Sequence, residues 1–169
     1  AAGVIIRAGS AEKSSAGGDN FASLDLGYNA DGTEVSMGGH FGGTARIDAD
    51  TDFSVGDDFL STASLWVGRN LEGLDVDGNV AGDLVVEANA NNINVGSMTG
   101  AFVTVGFNLG ALDVNGAIRN TVVQAGITPG ADGTYAASAG LKDGGEGSRM
   151  GNIGRVSADE ITDSILAAG

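Results

Sequence analysis

The chain has 169 residues, of which 42% are hydrophobic but only 5% aromatic, and it carries 30 glycines with a single proline. This composition argues against a collagen-like, proline-rich or disordered chain and predicts a core of small aliphatic side chains. The 22 acidic and 8 basic residues give a formal charge of -14, which argues against nucleic acid or an anionic membrane as a partner because phosphates would be repelled. There is no cysteine, and no transmembrane run or signal peptide is recognised.

Short apolar runs closed by asparagine or aspartate recur along the chain every 19 to 21 residues. They span Leu24–Asn29, Ala45–Asp50, Leu65–Asn70, Leu84–Asn89 and Val103–Asn108. Alternation within each run is typical of a β-strand, and a period of about 20 residues is typical of a solenoid. The sequence therefore predicts an all-β fold, a parallel β-helix (β-solenoid) of about seven coils, with residues 1–169 forming a single domain.

Near the start of the chain, the segment from Val4 to Gly9 resembles Thr121–Gly126 and Ser164–Gly169. A shift of one residue in these strands is expected to place Ile6, Val123 and Leu166 inside. Neither end carries a cap, so the open coils are expected to stack on another copy or on neighbouring repeats. The residues predicted at these assembly ends are Val4, Ile6, Ile165 and Leu166.

The polar segment 11–20 is either a degraded coil or a second excursion from the solenoid. In the coils that follow, a second strand is predicted around Val35/Met37, Phe53/Val55, Leu74/Val76, Ile93/Val95 and Leu112/Val114. Val80 and Ile118 mark a third side of the coil.

The residues that close the runs are predicted to stack at one corner as a structural ladder. Its members are Asn29, Asp50, Asn70, Asn89 and Asn108. Asparagine tolerates the left-handed backbone that a sharp corner demands, and its amide can form hydrogen bonds along the stack.

The motifs Asp75-Val76-Asp77-Gly78 and Asp113-Val114-Asn115-Gly116 place oxygen-bearing side chains at alternate, outward positions. Asp75, Asp77, Asp113 and Asn115 are therefore candidate calcium ligands, because hard oxygen atoms before a glycine turn form half of a calcium loop. An ordinary solvated acidic face is the alternative. Further oxygen-rich stretches are 29–34 and 48–52, and Asp57-Asp58 adds repulsion that a cation could relieve.

The single histidine, His40, lies in a glycine-rich segment and is interpreted as a turn residue, since the chain has no cysteine and no second histidine to complete a zinc site or a catalytic triad. Trp66 is predicted to point outward. It either binds a sugar or another subunit, or is covered by the 127–150 segment or by a neighbouring coil. No catalytic residue or bound cofactor other than calcium is predicted.

Towards the C-terminus, residues 128–150 are polar and glycine-rich and are predicted to form one long inserted loop. Residues 158–168 have two alternatives: a short helix, favoured by the capping-box spacing of Ser157 and Glu160, or a strand, favoured by the match to the coil pattern.

The segments Leu109–Gly126 and Ile153–Gly169 resemble the repeats of very large secreted bacterial β-helix proteins, and this resemblance covers most of 21–127 and 151–169. It implies an extracellular or cell-surface setting and a surface, matrix or adhesive role. Pectate-lyase-like enzymes share the broad fold, but their catalytic arginine and calcium-binding aspartates match no residues here.

The sequence thus favours a non-catalytic structural or adhesive module that assembles end to end. The alternative is a polysaccharide-binding or polysaccharide-degrading β-helix protein, with its groove between one flat face and the 128–150 loop.

Overall fold

The structure is a computed structural model that describes residues 5–8, 13–20, 23–126 and 151–169, with the backbone alone at 5–8 and 31. The described strands form one 15-stranded sheet in which every pair is parallel. The strands are β1 (Ile5–Ala8), β2 (Lys13–Ala16), β3 (Ser23–Met37), β4 (Thr44–Val55), β5 (Ser64–Val67), β6 (Leu71–Val80), β7 (Asp83–Val86), β8 (Ala90–Thr99), β9 (Phe102–Val105), β10 (Leu109–Val114), β11 (Ala117–Arg119), β12 (Val122–Ala125), β13 (Ile153–Ser157), β14 (Glu160–Thr162) and β15 (Ile165–Ala168). The predicted parallel β-solenoid is confirmed.

Each coil has three sides, and equivalent residues of successive coils stack in columns along the axis. Side 1 stacks β1, the start of β3, the start of β4, β5, β7, β9, β12 and β15. Side 2 stacks β2, the ends of β3 and β4, then β6, β8, β10 and β13, and about six turns of the chain connect them. Side 3 stacks Asn20, Phe41, Phe59, Val80, Met98, Ile118 and Ile161.

The core is a continuous inner column of small aliphatic layers, as the alternation predicts. On side 1 the inward residues of five successive coils are each no more than 3% exposed. They are Leu24, Leu26, Ala45, Ile47, Leu65, Val67, Leu84, Val86, Val103 and Val105. The apolar residues predicted for the second strands are buried too, and so are Val80 and Ile118 on side 3. Short strands that could not persist alone are stabilised here because each bonds to the coil above and the coil below.

Two coils differ in detail from the expectation of short separate strands. β3 and β4 each continue from side 1 to side 2, and β-bulges at Leu26/Asn29 and Asn29/Thr33 absorb the extra residues of the longer coil. Bulges insert residues without ending the pairing, which explains how intervals of 21, 20 and 19 residues fit one stack.

The C-terminal residues form strands, and the helix alternative is wrong. β15 pairs with β12 at Ile165↔Val122 and Leu166↔Val123. Val123 is fully buried as predicted, and Leu166 packs partly buried against the core. The side chain of Ile6 and the whole of Val4 lie outside the described residues, although the backbone register pairs Ile6 with Leu24.

The two polar segments flank this stack in different ways. Within 11–20, residues 13–16 form β2, which pairs with Glu34–Met37. The predicted inserted loop, 128–150, lies outside the described residues. On its far side β13 resumes the side 2 column directly, with Ile153 paired to Leu109.

Candidate functional site: side-chain ladders at the coil corners

Four of the five predicted corner residues form a hydrogen-bonded ladder along the axis. Asn70 donates from both its backbone N–H and its Nδ2 to Asp50 Oδ1, each at 3.1 Å. The same two donors of Asn89 reach Asn70 Oδ1 at 3.2 and 3.1 Å, and those of Asn108 reach Asn89 Oδ1 at 3.3 and 3.1 Å. Each side-chain oxygen therefore accepts a hydrogen bond from the corner N–H of the next coil. The backbone pairing of the strands would leave that N–H without an acceptor.

Asp50 is the first residue of this ladder, and its carboxylate only has to accept the two hydrogen bonds that Asn70 donates. Arg69 Nε lies 3.7 Å from Asp50 Oδ1, and the Arg69 guanidinium lies 5.2 Å from the ring centroid of Tyr28. The hydrogen bond with Tyr28, and then the charge of Asp50, raise the pKa of Arg69 above its ordinary value. Arg69 is therefore charged at any pH at which the protein would be handled.

Two parts of the ladder prediction are wrong. Asn29 is not a rung: it pairs with Ala49 rather than Asp50, because of the β3 bulges, and its Nδ2 donates to Gly32 O at 2.5 Å. The rungs also do not have left-handed backbones. The non-glycine residues with positive φ among the described residues are Asn120 (49°) and Asp163 (50°), at a different corner. The backbone at the ladder corner has ordinary, negative φ values. Asparagine therefore contributes its side-chain amide there, and not its tolerance of a left-handed backbone.

Asn89→Asp should lower the free energy of unfolding by roughly 1–3 kcal/mol, because a carboxylate cannot donate to Asn70 Oδ1 and places two acceptors in contact. Asn92→Asp is the matched control, since Asn92 is an exposed residue of the same coil. Urea titrations followed by circular dichroism would measure both. Equal midpoints for the two variants would show that the ladder contributes nothing measurable.

A second side-chain ladder, which the sequence did not predict, stands beside side 3. Asp19 Oδ1 accepts the His40 N–H at 3.2 Å, His40 Nδ1 accepts the Asp58 N–H at 3.2 Å, and Asp58 Oδ1 accepts the Asn79 N–H at 2.8 Å. Ser97 Oγ continues it with a 3.0 Å hydrogen bond to Asn79 Oδ1. The signal in the sequence was a polar residue directly before each side 3 residue from Asn20 to Met98, but the varied residue types concealed it.

His40 is thus a structural rung as well as a turn residue. Because Nδ1 accepts a backbone N–H, neutral His40 carries its proton on Nε2, which lies 3.3 Å from Asp57 Oδ2. The ligand atoms of His40, Asp57 and Asp58 lie within 4.8 Å of one another, the closest approach to a metal site among the described residues. However, Nδ1 and Asp58 Oδ1 are already bonded within the ladder.

The predicted calcium residues are in place as outward side chains of side 2. Asp75, Asn94 and Asp113 occupy one column, as expected. Asn94 Nδ2 donates to Asp75 Oδ1 at 3.1 Å, and Arg155 Nη2 forms an ion pair with Asp113 Oδ2. Asp77 and Asn115 are exposed. Each column aspartate therefore has a partner within the protein, and calcium binding stays a prediction.

The two other oxygen-rich stretches come together around one surface cavity of about 430 Å³. It is lined by Ala30, Gly32, Thr33, Glu34, Asp50, Asp52 and Glu72. Three of the four carboxylates have partners: Glu34 pairs with Lys13 at 2.8 Å, Glu72 accepts from Asn91 at 2.5 Å, and Asp50 belongs to the corner ladder.

Trp66 lies on the outer face of side 1, and a neighbouring coil covers it. The Arg46 guanidinium carbon is 3.7 Å from the ring centroid, and Trp66 Nε1 donates to Glu87 Oε1 at 3.1 Å. A Cβ added at Gly68 would lie 2.9 Å from the indole Cζ3, so the ring also lies over the Gly68 backbone. The cation occupies the face that a sugar would stack on. Further along the column, Thr104 and Gln124 are buried despite their outward register.

Within the described ranges no helical segment has the length and apolar character needed to cross a bilayer. No protein-family model matches the chain, and no significant match was found among curated proteins or solved structures. The fold and the ladders alone define the class: a parallel β-solenoid whose corners are closed by stacked polar side chains.

Proposed function

We propose that the chain is a non-catalytic structural module of an extracellular surface protein or filament, and that it associates end to end through the open coils of its solenoid. One observation carries this proposal: the last described coil leaves apolar side chains uncovered. Ile161 is 46% exposed, whereas Ile118, in the same column one coil earlier, is fully buried. On side 1, Leu166 is only partly buried, whereas Val123, in the same inward column one coil earlier, is fully buried.

The backbone of this coil supports the same proposal. Strands β13, β14 and β15 each pair on one side only within the described residues, with β10, β11 and β12. Their outer edges present N–H and C=O groups in the parallel arrangement that binds every coil to the next. An edge of this kind is a template for another strand.

An extracellular setting is supported by the resemblance to secreted β-helix repeats. The lack of cysteine is compatible with it but leaves the compartment open, since a stacked solenoid needs no disulfide. The charge of -14 would keep separate rods soluble and limit lateral association. Calcium at Asp75, Asp77, Asp113 and Asn115 would reduce that lateral repulsion and provide adhesion between rods.

The test is negative-stain electron microscopy and sedimentation velocity of the chain at micromolar concentration, with and without calcium. We expect rods joined along their axis, with the joined fraction rising with concentration. Ile161→Asp should reduce that fraction at least tenfold, because it places a charge on the uncovered end of the side 3 column. Thr99→Asp, a change at an exposed residue of β8 in the middle of the solenoid and away from both ends, should leave it unchanged.

Two outcomes would contradict the proposal. Isolated rods at every concentration, with and without calcium, would rule out assembly by this chain. Turnover of a neutral or acidic polysaccharide by the same preparation would instead favour the polysaccharide-acting alternative.

A further inference from the structure

We infer that Asn115 is a site of self-modification, at which the side-chain amide is converted to a carboxylate through a cyclic imide formed with the backbone nitrogen of Gly116. The reaction needs an asparagine whose amide is not held in place and a following backbone nitrogen that can reach it. Asn115 is the only asparagine of the chain that precedes a glycine. The conversion does not depend on end-to-end assembly.

The corner that holds Asn115, between sides 2 and 3, has one residue more than the same corner of the preceding coil. Residues 115–117 lie between the last residue of β10 and Ile118, whereas only 96 and 97 lie between the residues of β8 that pair with them. An extra residue of this kind is left out of the backbone pairing. One N–H of this corner is therefore expected to lack an acceptor in the preceding coil.

The N–H without an acceptor is that of Gly116. Asn115 N–H donates to Val95 O at 2.9 Å, but the Gly116 N–H makes no hydrogen bond among the residues that the structure describes. Gly78 gives the contrast, because its corner is as long as the one before it, and its N–H donates to Asp57 O at 3.1 Å. The nitrogen of Gly116 can therefore react without first breaking a hydrogen bond.

The Asn115 side chain is free to react as well. It is exposed, and its amide has no hydrogen-bond partner in the described part of the chain. The ladder residues Asn70 and Asn89 differ, since hydrogen bonds along the stack hold both of their amides. Gly116 also carries no Cβ that would obstruct the approach of its nitrogen to the Asn115 side chain.

The reaction consumes one water and releases one ammonia. Hydroxide removes the proton of the Gly116 N–H, and the nitrogen attacks Asn115 Cγ. A Cγ–N bond forms while the Cγ–Nδ2 bond breaks, and Nδ2 leaves as ammonia. Water then opens the imide: attack at Cγ gives aspartate with the normal backbone, and attack at the backbone carbonyl carbon gives isoaspartate. The two reacting groups are neighbours in one chain, which makes the first step fast compared with a reaction between separate molecules.

The product changes the outer face of side 2. An aspartate at position 115 gives the segment Asp113–Gly116 the same Asp-x-Asp-Gly pattern as Asp75–Gly78. One negative charge is added among the predicted calcium ligands, and a carboxylate is a stronger calcium ligand than an amide. This consequence rests on the calcium part of the proposed function, whereas the conversion itself does not.

Peptide mapping by mass spectrometry tests the inference on the folded chain, incubated at neutral and at mildly alkaline pH. We expect the peptide that contains Asn115 to gain the mass of the acid and to yield isoaspartate, faster at the higher pH because hydroxide starts the reaction. Asn92 is the internal control, since it is exposed but precedes the buried, branched Ile93. It should convert at least about tenfold more slowly. Asn115→Gln should abolish conversion at this position, because the larger ring forms much more slowly.

The same chain unfolded in urea measures how far the fold protects the site. We expect the rate at Asn115 in the folded chain to lie within about tenfold of the unfolded rate, because no hydrogen bond has to open first. A folded rate lower than this would overturn the inference, since it would show that the corner holds the amide or the nitrogen in place. Equal conversion at Asn92 and Asn115 would overturn it too.

Discussion

Phe41→Ala will lower the free energy of unfolding by about 3–5 kcal/mol, the cost of removing a buried aromatic side chain. Phe41 is fully buried on side 3, with its ring centroid 5.5 Å from that of Phe53 and 5.3 Å from that of Phe59. Phe53 and Phe59 are themselves buried in their own coils, so they cannot move far enough to fill the cavity. Denaturant unfolding followed by circular dichroism would measure the change.

Tyr28→Ala is the control for this aromatic truncation. The Tyr28 side chain is 58% exposed, and its main contact is the Arg69 guanidinium on the surface. We expect a small change for it, about 0.5 kcal/mol or less. If the two variants unfolded at the same denaturant concentration, the aromatic cluster would not be part of the cooperative core.

Gly82→Ala will destabilise the fold by about 3 kcal/mol, although alanine is normally the better residue in an ordered chain. Gly82 is buried at the corner before β7, and a Cβ there would lie 2.6 Å from the Leu60 carbonyl oxygen and 2.7 Å from the Phe59 ring. The oxygen belongs to the backbone of the preceding coil, so it cannot rotate away. Two coils would have to separate locally.

Gly17→Ala is the matched control for this steric effect. An added Cβ at Gly17 meets nothing within 4 Å, so we expect its thermal midpoint to equal that of the wild type or exceed it slightly. Differential scanning calorimetry compares both variants at one scan rate. A wild-type midpoint for Gly82→Ala would mean that the coils are packed less closely than the structure describes.

Much of the architecture could be predicted from the sequence because a solenoid repeats its local rules. The alternation around Leu84 and Val86 identifies which side chains are buried, and the interval to the next coil identifies their axial neighbours. The corner ladder was predictable for the same reason: Asn70, Asn89 and Asn108 recur as one residue type at one position. Where the rungs differ in type, as with Asp19, His40 and Asp58, the same arrangement was missed.

The bulges at Asn29 lie beyond such reasoning. A coil of 21 residues must accommodate its extra residues in a bulge, and the sequence does not indicate at which position the strand pairing shifts. The shift removed Asn29 from the ladder and brought Glu34 to the cavity beside Asp50. Phe41 is a similar case: it lies among glycines and outside the predicted strands, yet stacking on Phe59 places it in the core.

By itself, the sequence determined the class of fold, the period of the coil and the inward columns, because these depend on spacing along one chain. Only the tertiary structure decided the partners between coils: the Arg46 cation on Trp66, the proton position of His40 and the arginine that pairs with Asp113. These contacts join residues about 20 or about 40 positions apart, and their geometry depends on how each corner is turned. A periodic pattern records which residues share a column, but the rotation of one coil on the next decides which of their atoms meet.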